Sequence, residues 1–205
     1  MRLNALALAF VICIAGGSEV ARAADANGAF SIRGAGRISC EELLAGLEAK
    51  DKRLNVFAHW LEGYITASNQ LMGDTFDVTP WQTTELLLAL AGRSCAATPD
   101  KNFMDVVGRL IAQFRPLRVQ EKSALVQIRA GESVQVHYRV VVERARTRLI
   151  QLGHAFESQG IEGQASSAEM RRNLIAYQNT VGLPPSGRLD QQTLLNLFVT
   201  PKAKD

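Results

Sequence analysis

Short segments in which apolar residues recur three and four positions apart make up most of the chain from residue 39 onward. That spacing is typical of helices that bury one face and leave the other in water. Four such segments lie between residues 39 and 114, and further ones lie between residues 136 and 198. The pattern predicts a mainly α protein, in which a small helical bundle is followed by a three-helix module.

The helices of the predicted bundle have recognisable starts and buried faces. Ser39 is placed to cap a first helix that begins at Cys40. The second helix, residues 56–65, is expected to be mostly buried and to pack His59 in the core. The third covers residues 83–91 and has Thr79-Pro80 at its start. The fourth helix carries a clean apolar stripe, formed by Phe103, Val106, Val107, Leu110 and Ile111.

Residues 124–142 allow two interpretations. Apolar and polar residues alternate on both sides of Gly131, which is typical of two short strands joined by a turn at residues 130–132. Helical spacing also fits, and we favour a helix that begins at about Val136 and leads into the C-terminal module. Its basic residues would lie on its polar side; a solvated face is the favoured interpretation, and contact with anionic wall polymer is the alternative. They are Arg139, Arg144, Arg146 and Arg148.

The C-terminal module is predicted from its caps, its apolar stripes and its turns. Ser166 or Ser167 can cap the central helix, with Glu169 in the first turn. This helix is expected to stop at Gly182, ahead of two prolines that cannot continue it. Asp190 is placed to cap the last helix. The central stripe consists of Leu174, Ile175, Tyr177 and Val181, and the apolar surface of the last helix consists of Leu194, Leu195, Leu197 and Phe198.

The N-terminus has the order of an export signal. A positive residue, Arg2, precedes an apolar run over residues 5–15, and Ala21-Arg22-Ala23 is a small-x-small cleavage site. The run is shorter than the roughly 18 to 20 residues that cross a bilayer. Cys13 lacks the small residue that precedes a lipid-modified cysteine. We expect a mature, soluble, periplasmic chain that begins at Ala24 and has no membrane span; a retained signal anchor is the weaker alternative.

Removal of the signal leaves two cysteines, Cys40 and Cys95. An even pair in an exported protein predicts a disulfide, and two free thiols are the alternative. The bond would close a loop of about 56 residues and stabilise the fold by roughly 4 kcal/mol in the chain-entropy model.

Several short motifs follow one another between residues 149 and 198. They are Leu152-Gly153, the loop 160–163, Ile175-Ala176-Tyr177-Gln178, Val181-Gly182-Leu183, Gly187-Arg188-Leu189-Asp190 and Thr193-Leu194-Leu195. The stretch resembles the peptidoglycan-binding-like domain, a small three-helix fold. The chain departs from the family pattern at Glu162, usually Asp, at Tyr177, usually Phe, and at Ser167 or Ala168, where a Thr commonly opens the helix. The resemblance implies peptidoglycan binding, and the side chains suited to sugar and peptide contact are Arg171, Tyr177, Gln178 and Arg188.

A second set of motifs lies between residues 38 and 114: Cys40 followed by Glu-Glu-Leu-Leu, the segment Trp60-x-x-Gly63-Tyr64, and Cys95 followed by Pro99 and Phe103. This set resembles the HdeA-like group of small periplasmic helical proteins, and it is similar to the Tai-type immunity proteins of toxin secretion systems. The first resemblance implies an acid-stress chaperone that loosens when carboxylates protonate. The candidate carboxylates, for each of which a role in surface solubility is the favoured interpretation, are Glu41, Glu42, Glu62, Asp74, Asp77 and Glu85.

Composition and chemistry narrow the function classes. The formal charge of +3 becomes +2 without Arg2, Glu19 and Arg22, which is too small to indicate nucleic-acid binding. The histidines, His59, His137 and His154, are scattered over both modules. No nucleophile motif, phosphate-binding loop or metal-ligand spacing is recognisable, so we expect no enzyme activity, no cofactor and no metal.

These observations predict an order of domains and a function. The signal peptide covers residues 1–23, a flexible segment 24–37, the HdeA-like helical domain 38–115, a linker 116–135 and the peptidoglycan-binding-like domain 136–200. We interpret the chain as a non-catalytic periplasmic protein that is tethered to the cell wall, and whose helical module binds a protein partner. The alternatives are an acid-stress chaperone for unfolded clients, or a regulatory or targeting part of a cell-wall hydrolase system.

Overall fold

Helices account for most of the fold, as the sequence predicts. The computed structural model describes residues 24–25 and 27–199. Its helices are α1 (Cys40–Ala49), α2 (Arg53–Leu71), α3 (Thr84–Ala97), α4 (Phe103–Phe114), α5 (Arg139–Gln151), α6 (Gly163–Thr180) and α7 (Gln191–Phe198). Strands β1 (Leu125–Ala130) and β2 (Ser133–Tyr138) pair in antiparallel fashion, and short 3₁₀ helices cover Gly34–Arg37 and Arg115–Leu117. The mainly α class is confirmed.

The predicted signal peptide, with Cys13, and residues 200–205 lie outside the described residues. Residues up to Ser31 and residues from Ile32 onward belong to two separate compact units. In the first unit, the Asp25 carboxylate accepts hydrogen bonds from the backbone N–H groups of Asn27 at 2.9 Å and Ala29 at 2.8 Å. The second unit contains every helix and strand named above.

The first four helices pack around one hydrophobic core. Ser39 caps α1 by accepting a hydrogen bond from the Glu42 backbone N–H, as predicted. Thr83 caps α3 through the Leu86 N–H, so α3 begins at Thr84, one residue after the predicted start at residue 83, and Thr79-Pro80 lie before the helix. The apolar stripe predicted for α4 is buried along its whole length, and Phe114 extends it.

The disulfide between Cys40 and Cys95 lies at the centre of this core. The bond joins the first turn of α1 to the last turn of α3, and both cysteines are fully buried. Their Cα atoms are 5.0 Å apart. The predicted disulfide is therefore present, and it fixes the two ends of a long chain segment inside the bundle.

The second helix is less buried than predicted. It buries Phe57, Leu61 and Ser68, whereas His59 is exposed. His59 lies two positions from both Phe57 and Leu61, which places its side chain on the opposite face of the helix. The expectation of a packed core histidine was therefore wrong.

Trp60, also on α2, covers the 3₁₀ helix at Gly34–Arg37. Its indole N–H donates to the Arg33 carbonyl at 2.7 Å, and its ring stacks on Tyr64 with a centroid distance of 5.3 Å. A Cβ atom at Gly36 would lie 2.3 Å from the indole, so only glycine permits this approach. This end of the segment 24–37, expected to be flexible, is thus packed against the bundle.

The chain between the two helical parts forms a β-hairpin. Ser133–Tyr138 is a strand that pairs with Leu125–Ala130, and α5 begins only at Arg139, so the favoured helix from Val136 was wrong. The alternation of apolar and polar residues explains this outcome, because it suits a strand whose one face is buried. Val126 and Ile128 belong to the second core, so part of the segment 116–135, predicted as a linker, is a strand with one buried face.

The second hydrophobic core lies between the hairpin and helices α5, α6 and α7. The residues that α6 buries differ in part from the predicted stripe. Leu174 and Tyr177 are buried as expected, whereas Ile175 is half-buried and Val181 is 39 % exposed. Met170 occupies the stripe instead.

Trp81 connects the two cores. Its ring meets Phe114 of α4 edge-on at 6.3 Å and lies 5.9 Å from Phe198 of α7. The Gln191 side chain donates to the Trp81 carbonyl and accepts from the Thr83 N–H at 2.9 Å. The start of α7 is thereby fastened to the loop that precedes α3.

None of the helices in the described ranges combines the length and the apolar character needed to cross a membrane.

We predict that replacing both cysteines, Cys40→Ala with Cys95→Ala, lowers the free energy of unfolding by roughly 4 kcal/mol, because the unfolded chain is no longer cross-linked. Urea unfolding followed by far-UV circular dichroism measures the change. Wild-type protein kept in reductant is the control and should approach the double variant. Equal stability of the variant and the oxidised wild type would contradict the role given to the bond.

Candidate functional site

Gln178, one of the four residues predicted to contact a ligand, is fully buried. Its amide nitrogen lies 3.1 Å from both the Ser186 hydroxyl and the Arg188 carbonyl, and 2.9 Å from the Thr193 hydroxyl. Its amide oxygen accepts from the Gly187 N–H at 2.8 Å. Gln178 therefore holds the loop after α6 in place, and it offers no exposed surface to a ligand.

The end of α6 follows the prediction closely. The Leu183 N–H donates to the Gln178 carbonyl at 2.8 Å, and the Gly182 N–H donates to the Asn179 carbonyl at 3.4 Å. This pair of bonds is the Schellman arrangement that ends many helices. The predicted stop at Gly182 is confirmed, and Asp190 caps α7 through the Thr193 N–H as expected.

The loop after α6 packs tightly against Arg171. Gly187 has a φ of +66°, a conformation that favours glycine. A Cβ atom there would lie 2.6 Å from Cγ of Arg171 and 3.1 Å from Cγ1 of Ile175. The aliphatic stem of Arg171 is therefore held between its own helix and the loop, which restricts where its guanidinium can lie.

The other predicted ligand residues divide into buried and exposed. Tyr177 is only 5 % exposed, meets His154 edge-on, and has a pKa raised above its usual range by burial. Arg171 and Arg188 are exposed. Of the four side chains, the structure thus leaves two arginines free to meet a ligand.

The arginines of α5 do not form the solvated face that the sequence suggests. Each guanidinium is bonded to a neighbouring segment: Arg139 to the Glu162 carboxylate, Arg144 to the Leu117 and Arg118 carbonyls, Arg146 to the Ser158 carbonyl, and Arg148 to the Leu197 carbonyl. Burial and the proximity of Arg118 hold the pKa of Arg144 below its usual value. These arginines join the parts of the fold and are committed to that role.

A different pair of arginines lines a small cavity between the hairpin tip and α6. The cavity has a volume of about 300 Å³ and is formed by Arg129, Gly131, Ser167, Ala168 and Arg171. Neither Arg129 nor Arg171 forms an ion pair with a carboxylate in the described part of the chain. We refer to this feature as the arginine cavity.

Arg129 is the site residue that sequence reasoning missed. It follows Val126 and Ile128 in β1, whose side chains point into the core, so the alternation places Arg129 on the exposed face. The two-residue turn Gly131-Glu132 then brings the chain back, with Gly131 at a φ of +63°. Preferring the strand interpretation of residues 124–142 would have placed Arg129 beside the turn, but its proximity to α6 follows only from the tertiary fold.

A larger depression, of about 540 Å³, has a less distinctive lining. It lies near the start of α5 and contains both signs of charge, including Asp74, Glu121 and Lys122. Its two arginines, Arg139 and Arg144, are the bonded ones described above. The arginine cavity is therefore the better candidate for an anionic ligand.

Glu169 is buried near the start of α6, next to the loop that precedes the helix. Its carboxylate accepts hydrogen bonds from the Ser158 hydroxyl and from the backbone N–H groups of Glu157 at 2.8 Å and Ser158 at 3.0 Å. These bonds, from the Ser158 hydroxyl first, hold the pKa of Glu169 below its usual value. The carboxylate thus ties the loop before α6 to the helix.

The predicted cap of α6 was wrong. The helix begins at Gly163, with Glu162 in the cap position and no side-chain cap. Ser166 and Ser167 are buried inside the helix, and the Ser166 hydroxyl donates to the Gly160 carbonyl at 2.8 Å. This helix begins at a glycine and without a side-chain cap, so the serines three and four positions after Gly163 were wrongly taken as its start.

The histidines do not form a site. His59 is exposed on α2, His137 lies on β2, and His154 follows α5 and faces Tyr177. Burial holds the pKa of His137 below its usual value. In residues 24–25 and 27–199, no three His, Cys, Asp or Glu side chains are grouped so that they could hold a metal ion.

We predict that Gln178→Ala lowers the free energy of unfolding by about 2 to 4 kcal/mol, because buried donors and acceptors lose their partner. Thermal and urea unfolding measure the loss. Asn179→Ala, at the exposed neighbouring position, is the matched control and should change stability by a few tenths of a kcal/mol. Similar effects of the two substitutions would show that Gln178 does not organise the loop.

We predict that Glu169 makes stability depend on pH below neutrality. A carboxyl group whose pKa is lowered by folding stabilises the fold above its unfolded pKa, roughly 4.3, and loses that contribution as pH falls through the lower folded pKa. The difference in unfolding free energy between wild type and Glu169→Gln should therefore become smaller as pH falls from 6 to 3. Urea unfolding at successive pH values tests this. A constant difference over that range would contradict it.

Comparison with known proteins gives no family for this chain. No protein-family model, no curated protein and no solved structure matches it. The arginine cavity is therefore interpreted from its own residues. Two arginines that form no ion pair with a carboxylate in the described part of the chain, one from a strand and one from a helix, are among the residues that line it.

Proposed function

We propose that this is an exported, non-catalytic protein whose C-terminal part binds the anionic polymer of the cell wall, peptidoglycan, and whose helical bundle binds a protein partner. The observation that carries the proposal is the arginine cavity. Arg129 and Arg171 come from different elements, line the same volume and have no carboxylate partner among the described residues. Uncompensated guanidinium groups favour a carboxylate-bearing or otherwise anionic partner.

The distribution of arginines supports a localised site rather than a diffuse basic surface. The four arginines of α5 are bonded within the protein, as described above. Arg129 and Arg171, which are both exposed, lie near the hairpin tip and on the adjoining part of α6. Arg188, exposed in the loop that packs on the stem of Arg171, adds to the charge on this side.

The disulfide agrees with export. Disulfides persist in oxidising compartments and are rare in reducing ones, and Cys40 and Cys95 form one at the centre of the bundle. The lining of the arginine cavity supports binding without catalysis. Among the described residues that line it, none carries a carboxylate, imidazole or thiol that could act as a general base or nucleophile.

The acid-chaperone alternative has weaker support. Of the six carboxylates proposed for an acid switch in the helical bundle, five are exposed, and only Asp77 is half-buried. Exposed carboxylates contribute little to stability, so their protonation changes the fold little. The most protected carboxylate described here, Glu169, lies in the C-terminal part instead.

We predict that the mature protein is retained on purified, protein-free peptidoglycan sacculi, and that Arg129→Gln with Arg171→Gln reduces the retained fraction at least tenfold. The expected cause is the loss of two charge-assisted contacts, each contributing about 1.5 to 3 kcal/mol. Co-sedimentation at increasing salt measures retention, and retention should fall as salt rises.

Arg109→Gln together with Arg93→Gln is the matched control. Both residues are exposed on helices of the bundle, so the control removes the same charge from a distant surface. It should bind sacculi like wild type. If the wild-type protein is not retained on sacculi, wall binding is rejected. If the two double variants lose retention equally, the loss is explained by net charge and the arginine cavity is not the site.

A further inference from the structure

The second strand of the hairpin has an outer edge whose backbone groups point away from the first strand. The Arg139 N–H donates to the Ala124 carbonyl at 2.7 Å, at the position that follows the last pair of the hairpin. Hydrogen-bonded and non-bonded pairs alternate along an antiparallel ladder. The N–H and C=O groups of Val134 and Val136 therefore point toward the outer edge of β2.

No strand covers this outer edge in the described part of the chain. The sheet there consists of β1 and β2 alone, and within residues 27–199 no backbone hydrogen bond from another segment reaches Val134 or Val136. Their side chains share one face of the strand and are 43 % and 55 % exposed. An exposed strand edge with free N–H and C=O groups is a template for a further extended strand.

The outer edge of β2 also lacks the features that keep strand edges from pairing. Natural edges are protected by charged residues, by proline or by bulges. The strand reads Ser-Val-Gln-Val-His-Tyr, without Lys, Arg, Asp, Glu or Pro, and its register with β1 is continuous. On β1, by contrast, Arg129 is exposed. Of the two edges of the hairpin, that of β2 is therefore the one suited to pairing.

We propose that two copies of this chain associate through the outer edges of their β2 strands, in antiparallel register, and so form a four-stranded sheet. A two-fold axis at Gln135 sets Val134 of each copy opposite Val136 of the other. The four valines then form two cross-strand pairs on one face, an arrangement that stabilises sheets. The dimer goes beyond the proposed wall binding and does not depend on it.

Symmetry favours a second copy as the partner. A two-fold interface sets a surface against itself, so the strand must be complementary to its own reversed sequence. The outer edge of β2 meets this condition, because a valine stands at both of the outward positions that the axis at Gln135 brings together. The same operation on β1, with the axis at Gln127, sets Leu125 opposite Arg129.

The size of the contact predicts a weak dimer. The strand has six residues, which extend for roughly 20 Å. One strand pair buries much less than the about 1,600 Å² of a standard protein interface. We therefore expect a dissociation constant on the order of 0.1 mM.

The test is sedimentation velocity of the mature protein at concentrations from about 10 µM to about 1 mM. The weight-average sedimentation coefficient should rise with concentration from the monomer value toward the dimer value. Val136→Lys should weaken association at least tenfold, because it places a charge in the paired edge. Val136→Pro should do the same, because proline removes an N–H that points away from β1 and leaves the bonds of the hairpin in place.

Leu125→Lys is the matched control. Leu125 is 64 % exposed on the same face of the hairpin, but it belongs to β1 and lies away from the outer edge of β2. This variant carries the same added charge as Val136→Lys and should dimerise like wild type. Far-UV circular dichroism and urea unfolding will show that the variants are folded.

Hydrogen exchange, followed by NMR at low and high concentration, reports on the paired groups directly. The amides of Val134 and Val136 should exchange with solvent in the monomer and become protected as the dimer forms. The amide of Gln135 points toward β1 and should be protected at both concentrations.

Several results would overturn the proposal. A wild-type protein that stays monomeric up to about 1 mM, with exchanging amides at Val134 and Val136, rejects the second copy and leaves the edge for a different extended segment. Protection of these amides that does not change with concentration places another segment of the same chain on the edge. Association that Val136→Lys leaves unchanged, or that Leu125→Lys weakens equally, places the interface elsewhere.

Discussion

The buried amide of Gln178 is the interaction on which the C-terminal half depends. A carboxamide without water must find partners for both ends, because an unsatisfied buried polar group costs about 1 to 3 kcal/mol. Here the partners are supplied by the loop after α6 and by the first turn of α7. One side chain thereby fixes the loop, aligns α7 and, through Gly187, restrains Arg171. The same loop packs on Arg171, which lines the arginine cavity.

The arginines of α5 hold different segments of the fold together. Arg144 reaches the Leu117 and Arg118 carbonyls at the end of the bundle, while Arg148 reaches the Leu197 carbonyl in α7. Hydrogen bonds to carbonyls do not neutralise the positive charge. Their contribution is to hold neighbouring segments in a fixed position relative to α5. Together with Trp81 between Phe114 and Phe198, they make α5 and the hairpin a continuous connection between the two cores.

The sequence predicts those features that depend on local chemistry. The caps Ser39 and Asp190, the stop at Gly182 and the disulfide each depend on a few neighbouring residues or on cysteine number, and each is found in the structure. The start of α5 and the exposure of His59 depend on which face meets a partner element, which periodicity alone leaves open. Arg129 escaped notice for the same reason, since residues 129 and 171 become neighbours only when the hairpin packs beside α6.

A tether of this construction would orient its cargo as well as retain it. Were the C-terminal part joined by a flexible linker, binding at the arginine cavity would leave the bundle free to rotate. Instead, the segment after α4 is bonded to α5, and Trp81 and Gln191 fasten the bundle to α7. Because residues from Ile32 onward form one compact unit, a ligand held by Arg129 and Arg171 fixes the direction in which the bundle faces. Under the proposed function, the partner surface of the bundle is therefore presented at a defined orientation to the wall.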